Sequence, residues 1–166
     1  MATAVVWRIA RRPFALDRIG LGARQRGGRW NAPGIGVIYA GRSIGITALE
    51  RFVHLAGVIP LDLVLVRIDL PAEHSFEEPA RANLPADWSA VPAAPSSVQF
   101  GTRWAQEVRS LVLYVPSALV QEEGNAVLNL NHPELAQVTM TIERDFHYDS
   151  RLYRPRRAPA ARRRRA

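Results

Sequence analysis

The densest group of chemically capable side chains in this 166-residue chain is the run Gly28-Arg29-Trp30-Asn31-Ala32-Pro33-Gly34, which crowds a guanidinium, an indole and a carboxamide into one turn ahead of an apolar strand. Such a turn can present three kinds of contact to a single ligand. Arg29 offers a planar fork that meets phosphate oxygens at two points and keeps its charge at any working pH. On composition alone the plainer reading, a surface loop carrying an arginine, has the better odds. Other chemistries fail on counting. No Gly-x-Ser-x-Gly elbow occurs, which removes the usual setting of a serine hydrolase. His54, His74, His132 and His147 lack close ligand spacing, so no metal is expected. The chain has no lysine for a P-loop and no cysteine to act as nucleophile, thiolate ligand or disulfide partner.

The elements that must position this turn are read from periodicity. Val5-Val6-Trp7-Arg8-Ile9 is a β-prone run and predicts the first strand. From Ala10 to Gly28 regular spacing is lost and basic residues accumulate, which predicts a loop with one short helix. Gly34 to Ala40 reads as a Gly-bounded strand, and Ser43 is a plausible N-cap for a helix whose stripe is Ile46, Leu49, Phe52, Val53 and Ala56. Glu50 falls at the edge of that stripe, so incomplete solvation is expected. Leu61 to Leu70 predicts a long strand ended by Pro71. Ala72 to Ser97, rich in Pro and Ala with Trp88 its single large anchor, predicts an irregular excursion and the internal region most prone to disorder. Gln99 to Ser110 predicts a helix, and Leu111–Val115, Ala126–Leu130 and Val138–Phe146 predict strands, the last with Val138, Met140 and Ile142 facing inward. The sum is a single sheet-rich α+β domain without repeats.

Charge is informative only once located. The formal net charge is +7, yet Arg154, Arg156, Arg157, Arg162, Arg163, Arg164 and Arg165 supply seven of the 22 basic residues, and no acidic residue follows Asp149. The other 15 basic residues balance the 15 acidic ones. Residues 1–153 therefore read as a neutral catalytic domain and 154–166 as a disordered Arg-rich tail. Apolar runs such as Leu61–Val66 fall far short of the ~20 residues of a membrane crossing. With no charged start and apolar core of a secretory signal at the N-terminus, the expectation is a cytoplasmic protein with no membrane contact.

Trp7-Arg8-Ile9, Gly28-Arg29-Trp30-Asn31, Val37-Ile38-Tyr39-Ala40, Ala48-Leu49-Glu50 and Val115-Pro116-Ser117 follow one another in the order and approximate spacing of the RES-domain family. Glu122, Asn125, Asn129, Pro133 and Asp149-Ser150-Arg151-Leu152 also resemble its C-terminal half. The resemblance implies a fold similar to ADP-ribosyltransferase toxins, a pocket for NAD+ as substrate, no metal, and cleavage of the bond between ribose and nicotinamide. NAD+ would then be consumed outside a Rossmann fold, and the glycines at 20, 22, 27, 28, 34 and 36 indeed lack the dinucleotide fingerprint.

By the same resemblance Glu50, Arg29 and Tyr39 are the catalytic residues, and Arg8, Arg29, Asn31, Tyr39 and Ser117 bind NAD+. Arg8 and Arg29 would grip the pyrophosphate, Glu50 would hold a ribose hydroxyl and stabilise an oxocarbenium-like transition state, Tyr39 would stack on nicotinamide or close the pocket, and Ser117 would position the ribose or amide. Taken one by one, these residues have plainer readings: a core tyrosine, a solvated helix glutamate, a strand-end arginine, a turn serine, and an Asn31 that merely closes its turn. Trp7, Trp30 and Trp104 read as core or pocket walls, and His54, one helical turn after Glu50, as a partly buried structural histidine.

The resemblance further implies a toxin held in check by a cognate Xre-type helix-turn-helix antitoxin, with a homo-oligomer inside the complex compatible with the sequence. The acceptor is left open: water or phosphate would deplete NAD+, whereas a protein acceptor would make an ADP-ribosyltransferase. A reading from another class, a nucleic-acid-binding protein gripping phosphate through its Arg tail, rests on the tail alone. An inert scaffold is disfavoured by the presence of all five polar positions.

Overall fold

The computed structural model of the chain describes residues 4–55 and 57–153. The Arg-rich tail lies outside the described residues. Seven β-prone runs form strands β1 (Val5–Arg11), β2 (Val37–Gly41), β3 (Leu63–Asp69), β4 (Phe76–Glu77), β5 (Val112–Pro116), β6 (Gly124–Asn129) and β7 (Thr139–Asp145). They make one sheet in the order β4-β5-β6-β2-β1-β3-β7, antiparallel except for the β4/β5 pair. The helices are α1 (Leu21–Arg26), α2 (Ile44–Val53) and α3 (Pro95–Gln106). The sheet-rich α+β expectation holds.

The sheet is divided. β1 meets β3 over seven consecutive residue pairs but meets β2 at the single pair Trp7↔Gly41. Two leaves, β4-β5-β6-β2 and β1-β3-β7, thus share one joint, and past it Arg8 on β1 and Ala40 on β2 are no longer paired with each other. Helix α2 packs on β1, β2 and β6 and so straddles the joint. Gly41 permits this: a Cβ there would stand 2.3 Å from Thr47 Oγ1, so the helix lies directly on the strand backbone.

Strand alternation sends successive side chains to opposite faces. Val6, Ile38, Val64, Val66, Val112 and Leu128 fill one face of the sheet. On the other, Trp30, Trp88, Trp104, Leu113 and Val127 form a core beside α3, and Ile9, Leu55, Leu63, Leu65, Phe146 and Tyr148 form one beside α2.

Three expectations are corrected. The stripe of α2 is rotated: Leu49 and Val53 are 40% and 49% exposed, while Ile46 and Thr47 are buried and Ile44, Ala48 and Phe52 pack against the β1–β3 leaf. The seat on Gly41 turns Ile46 and Thr47 onto the strand backbone and carries Leu49 and Val53 outward, which periodicity cannot foresee. Ala56 lies outside the described residues. The excursion from Ala72 to Ser97 is irregular but anchored, with Leu84, Trp88 and Ala94 buried and β4 paired to β5. Helix α3 begins within it, because Pro95 starts a helix well at its first position. His54 is exposed at the C-terminus of α2, not partly buried.

Candidate functional site

The Gly28-Arg29-Trp30-Asn31 turn is built from the inside out. Gly28 and Asn31 bridge each other, the Gly28 N–H donating to the Asn31 carbonyl at 2.9 Å. Asn31 is fully buried, and its Nδ2 donates to the carbonyls of Ala23 and Ile35 at 3.0 Å and of Ala32 at 3.2 Å. The Tyr39 hydroxyl donates to Asn31 Oδ1 at 2.7 Å and accepts the Trp30 N–H at 2.9 Å. Burial holds this phenol well above its ordinary pKa, so it remains a donor. Trp30 drops into the α3-side core, and α3 approaches so closely that a Cβ on Gly101 would stand 2.1 Å from the Trp30 carbonyl oxygen.

Two side chains expected to bind ligand are engaged within the protein. Asn31 has its amide fully engaged within the turn, and the Tyr39 hydroxyl is engaged in holding Asn31 and Trp30. Both position the turn. What the turn presents outward is Arg29, half-buried, whose Nη1 donates to the carbonyls of Trp88 and Ala90 at 2.7 and 2.8 Å. Its Nε and Nη2 have no partner among the described residues, which leaves one edge of the fork for a ligand.

Glu50 is reached from the other end of the same strand pair. Ser43 caps α2 by accepting the Ile46 N–H at 3.3 Å, and the Thr47 hydroxyl donates to the Ser43 carbonyl at 2.7 Å, with the Trp7 carbonyl of β1 farther off at 3.3 Å. The helix then delivers Glu50, half-buried as expected, to Ser117 and Asn125. Ser117 Oγ donates to Glu50 Oε1 at 2.7 Å and Asn125 Nδ2 donates to the same oxygen at 2.6 Å. Oε2 has no partner among the described residues and is not sealed from solvent. Ser117 is itself fully buried, and its Oγ also accepts the Leu119 and Val120 N–H groups at 3.0 and 3.3 Å. Its proton thus serves Glu50, so Ser117 reaches a ligand only through the carboxylate. Asn125 had no role in the sequence reading. The signals available were its place among the residues that resemble the family's C-terminal half and an asparagine in a strand, where that residue type is depleted.

Register relates the two ends. Tyr39 pairs with Val127 and Gly41 with Asn125, so Tyr39, which holds the turn, and Asn125, which holds the carboxylate, stand on one face of the β2/β6 pair at positions about 7 Å apart along the strands. Arg8 is half-buried on β1, the first residue past the joint, and its side chain makes one hydrogen bond among the described residues, a long 3.5 Å contact from Nη1 to the Asp17 carbonyl. Burial lowers its pKa, Asp17 opposes that, and the Arg51 charge reinforces it. The structure therefore brings Glu50, Ser117 and Asn125 into direct contact, joins Tyr39, Asn31 and Trp30 in a second group that presents Arg29, and sets Arg8 at the opening of the leaves. A hollow of about 310 Å³ lined by Arg42, Glu78, Tyr114, Pro116 and Glu123 excludes Glu50.

A divided sheet with a helix over its joint and a pinned carboxylate beside it defines a class before it defines a family. The fold matches a chain in the crystal structure of the M. tuberculosis MbcT-MbcA toxin-antitoxin complex with a TM-score of 0.65 at 19% identity, over 92% of this chain and 87% of that one. The RES domain family matches residues 5–149, and the chain belongs to it. Among relatives, a protein of Sphingobium sp. (strain YBL2) named "Prs ADP-ribosylating toxin" is 41% identical over 92% of this chain and 98% of its own length. Proteins named "Toxin Res" from Photorhabdus laumondii and Pseudomonas putida are 33% and 34% identical, covering 83% and 90% of this chain and 89% and 99% of their own.

Proposed function

We propose that this chain is the toxin of a toxin-antitoxin pair and that it cleaves the nicotinamide–ribose bond of NAD+. The observation that carries the reading is the asymmetry of Glu50: Oε1 is held by two donors, from Ser117 and Asn125, while Oε2 is left open. Nicotinamide departs from NAD+ as a neutral group, so no general acid is needed, and positive charge builds on the ribose as the bond stretches. A carboxylate of fixed orientation stabilises that charge more strongly in the transition state than in the ground state, which is the condition for acceleration. Its free oxygen suits a ribose hydroxyl, and the open edge of Arg29 and the position of Arg8 suit the pyrophosphate. Fixing the dinucleotide at both parts turns a floppy substrate into an oriented one.

The acceptor of the ADP-ribosyl group has two readings. Water or phosphate would make the chain a destroyer of NAD+. The 41% identical relative carries the name of an ADP-ribosylating toxin, which favours a protein acceptor. Names of relatives as toxins, and the toxin-antitoxin complex that shares the fold, support a cognate antitoxin as partner; the Xre helix-turn-helix type is our reading from the family resemblance.

Brief induction in a bacterial host, with intracellular NAD+ measured for the intact chain, for Glu50→Ala and for a truncation after Arg154, tests the reading. NAD+ collapse with the intact and truncated chains but not with Glu50→Ala is expected for hydrolysis or phosphorolysis. Steady NAD+ with arrested growth and a labelled band on an ADP-ribose blot identifies protein transfer. Arrest that persists in Glu50→Ala and vanishes on truncation would sink the enzyme reading in favour of the tail.

A further inference from the structure

Helix α3 touches both halves of the setting of Arg29 and has no part in the chemistry proposed so far. On one side it underlies the turn. Gly101 lies against the Trp30 carbonyl with no room for a side chain between them, and the Ala32 N–H donates to Thr102 Oγ1 at 2.8 Å. On the other side it holds the excursion that meets the turn. Ser96, in the first turn of α3, donates to Asp87 Oδ1. Asp87 belongs to two successive turns, in which the Trp88 N–H donates to the Pro85 carbonyl at 2.9 Å and the Ala90 N–H to the Asp87 carbonyl at 3.0 Å. The carbonyls of Trp88 and Ala90 are the two acceptors of Arg29 Nη1. Trp30 and Trp88 also share one buried cluster with Trp104 and Ala105 of α3.

The consequence falls on the guanidinium. An arginine on its long flexible side chain loses freedom when a ligand holds it, unless the protein has fixed it beforehand. Here two carbonyls fix Nη1, which leaves the edge formed by Nε and Nη2 as the open side of the fork, the side that meets two oxygens of one phosphate. Where that edge points depends on how the turn is placed relative to the two carbonyls. The network of Asn31 and Tyr39 fixes the turn internally and against β2, but none of its hydrogen bonds reaches residues 85–90. Helix α3 supplies the missing relation, because Ser96 and Thr102 stand six residues apart on it, about 9 Å along its axis.

We propose that Thr102 and Ser96 are positioning residues for the substrate: through α3 they align the Arg29 turn with the Trp88 and Ala90 carbonyls and so aim the open edge of Arg29 at a phosphate of the dinucleotide. The assignment rests on the NAD+ reading above and deepens it. It gives the excursion from Ala72 to Ser97 a part in the site, as the source of the two carbonyls. Glu50 is held by Ser117 and Asn125, outside α3 and the excursion, so the bond-breaking step is not under their control.

Thr102→Val, Thr102→Ser and Ser96→Ala are made in the full chain and again beside Arg29→Gln, with calorimetric titration of ADP-ribose, steady-state kinetics of NAD+ consumption and thermal melts. Thr102→Val and Ser96→Ala raise the ADP-ribose Kd and the KM about 5- to 10-fold with kcat within about twofold, and Thr102→Ser, which keeps the oxygen, restores the wild-type values. Beside Arg29→Gln the same substitutions change the Kd by less than about twofold, because no guanidinium is left to aim. Ser96→Ala alone decides the matter where Thr102→Val melts below the assay temperature. Losses of equal size with and without Arg29 overturn the proposal and leave both residues as supports of the fold. Single variants that bind ADP-ribose as wild type does, or an Arg29→Gln chain that does so, overturn it while leaving NAD+ cleavage standing. A wild-type chain that binds no ADP-ribose overturns the proposal and the NAD+ reading together.

Discussion

Arg8 and Arg11 stand three residues apart on β1 and have opposite surroundings. Arg11 is on the surface and donates through Nε to both oxygens of Asp62 at 3.0 and 3.1 Å, which raises its pKa and lowers that of Asp62. Arg8 is withdrawn from water at the point where the sheet divides, and its pKa is lowered. The exposed arginines Arg42, Arg109 and Arg151 and the half-buried Arg67 likewise find carboxylates. On this strand, then, the charge that water already screens has a carboxylate partner and the one withdrawn from water has only a carbonyl. Such an arrangement is costly for stability and useful for an anion, so the contrast fits the binding role proposed for Arg8 and a surface role for Arg11.

The strongest way to break this comparison is to exchange the two sites. Arg8→Gln should lower kcat/KM for NAD+ consumption about 100-fold, the loss of a charge-assisted contact, whereas Arg11→Gln should leave it within twofold. Equal effects would erase the distinction. Tyr39→Phe comes next: it orphans Asn31 Oδ1 and the Trp30 N–H, and should cost about 2 kcal/mol of stability in a denaturant melt. The same phenol gives a pH signature. Its folded pKa is raised above the unfolded value of ~10, and Tyr148 is pushed up to about 12, so their stabilisation is complete below pH ~10 and is lost as pH rises past it. Tyr39→Phe should flatten that alkaline decline.

Asn125→Ala should reduce kcat roughly tenfold with little change in KM, because it frees Glu50 to rotate without touching the phosphate end of the substrate. A change in KM alone would mean that Asn125 meets substrate directly. The smallest effect belongs to stability at Arg11, where losing an exposed ion pair should shift unfolding by under ~1 kcal/mol.

Much of this was legible in the chain. β1, β2, β3, β5, β6 and β7 follow runs whose β-prone residues and turn signals are local, and the Ser43 cap is a local hydrogen bond. The order of residues around Arg8, Arg29, Tyr39, Glu50 and Ser117 led to the RES family, which the comparison with known families bears out. The seat of α2 was not legible, because it depends on Gly41 lying beneath Thr47, a contact that only the assembled sheet makes.

Sequence by itself determined residue types, their periodicity and their family. Tertiary structure decided which of those residues are free to act. Asn31 and Ser117 look like ligand-binding polar side chains in one dimension, but folding surrounds the first with three carbonyls and a phenol and gives the second to a carboxylate 67 positions away. Hydrogen-bond satisfaction and desolvation are set by neighbours distant in the chain, so the same side chain is a scaffold or a binding group according to what the fold leaves unpaired.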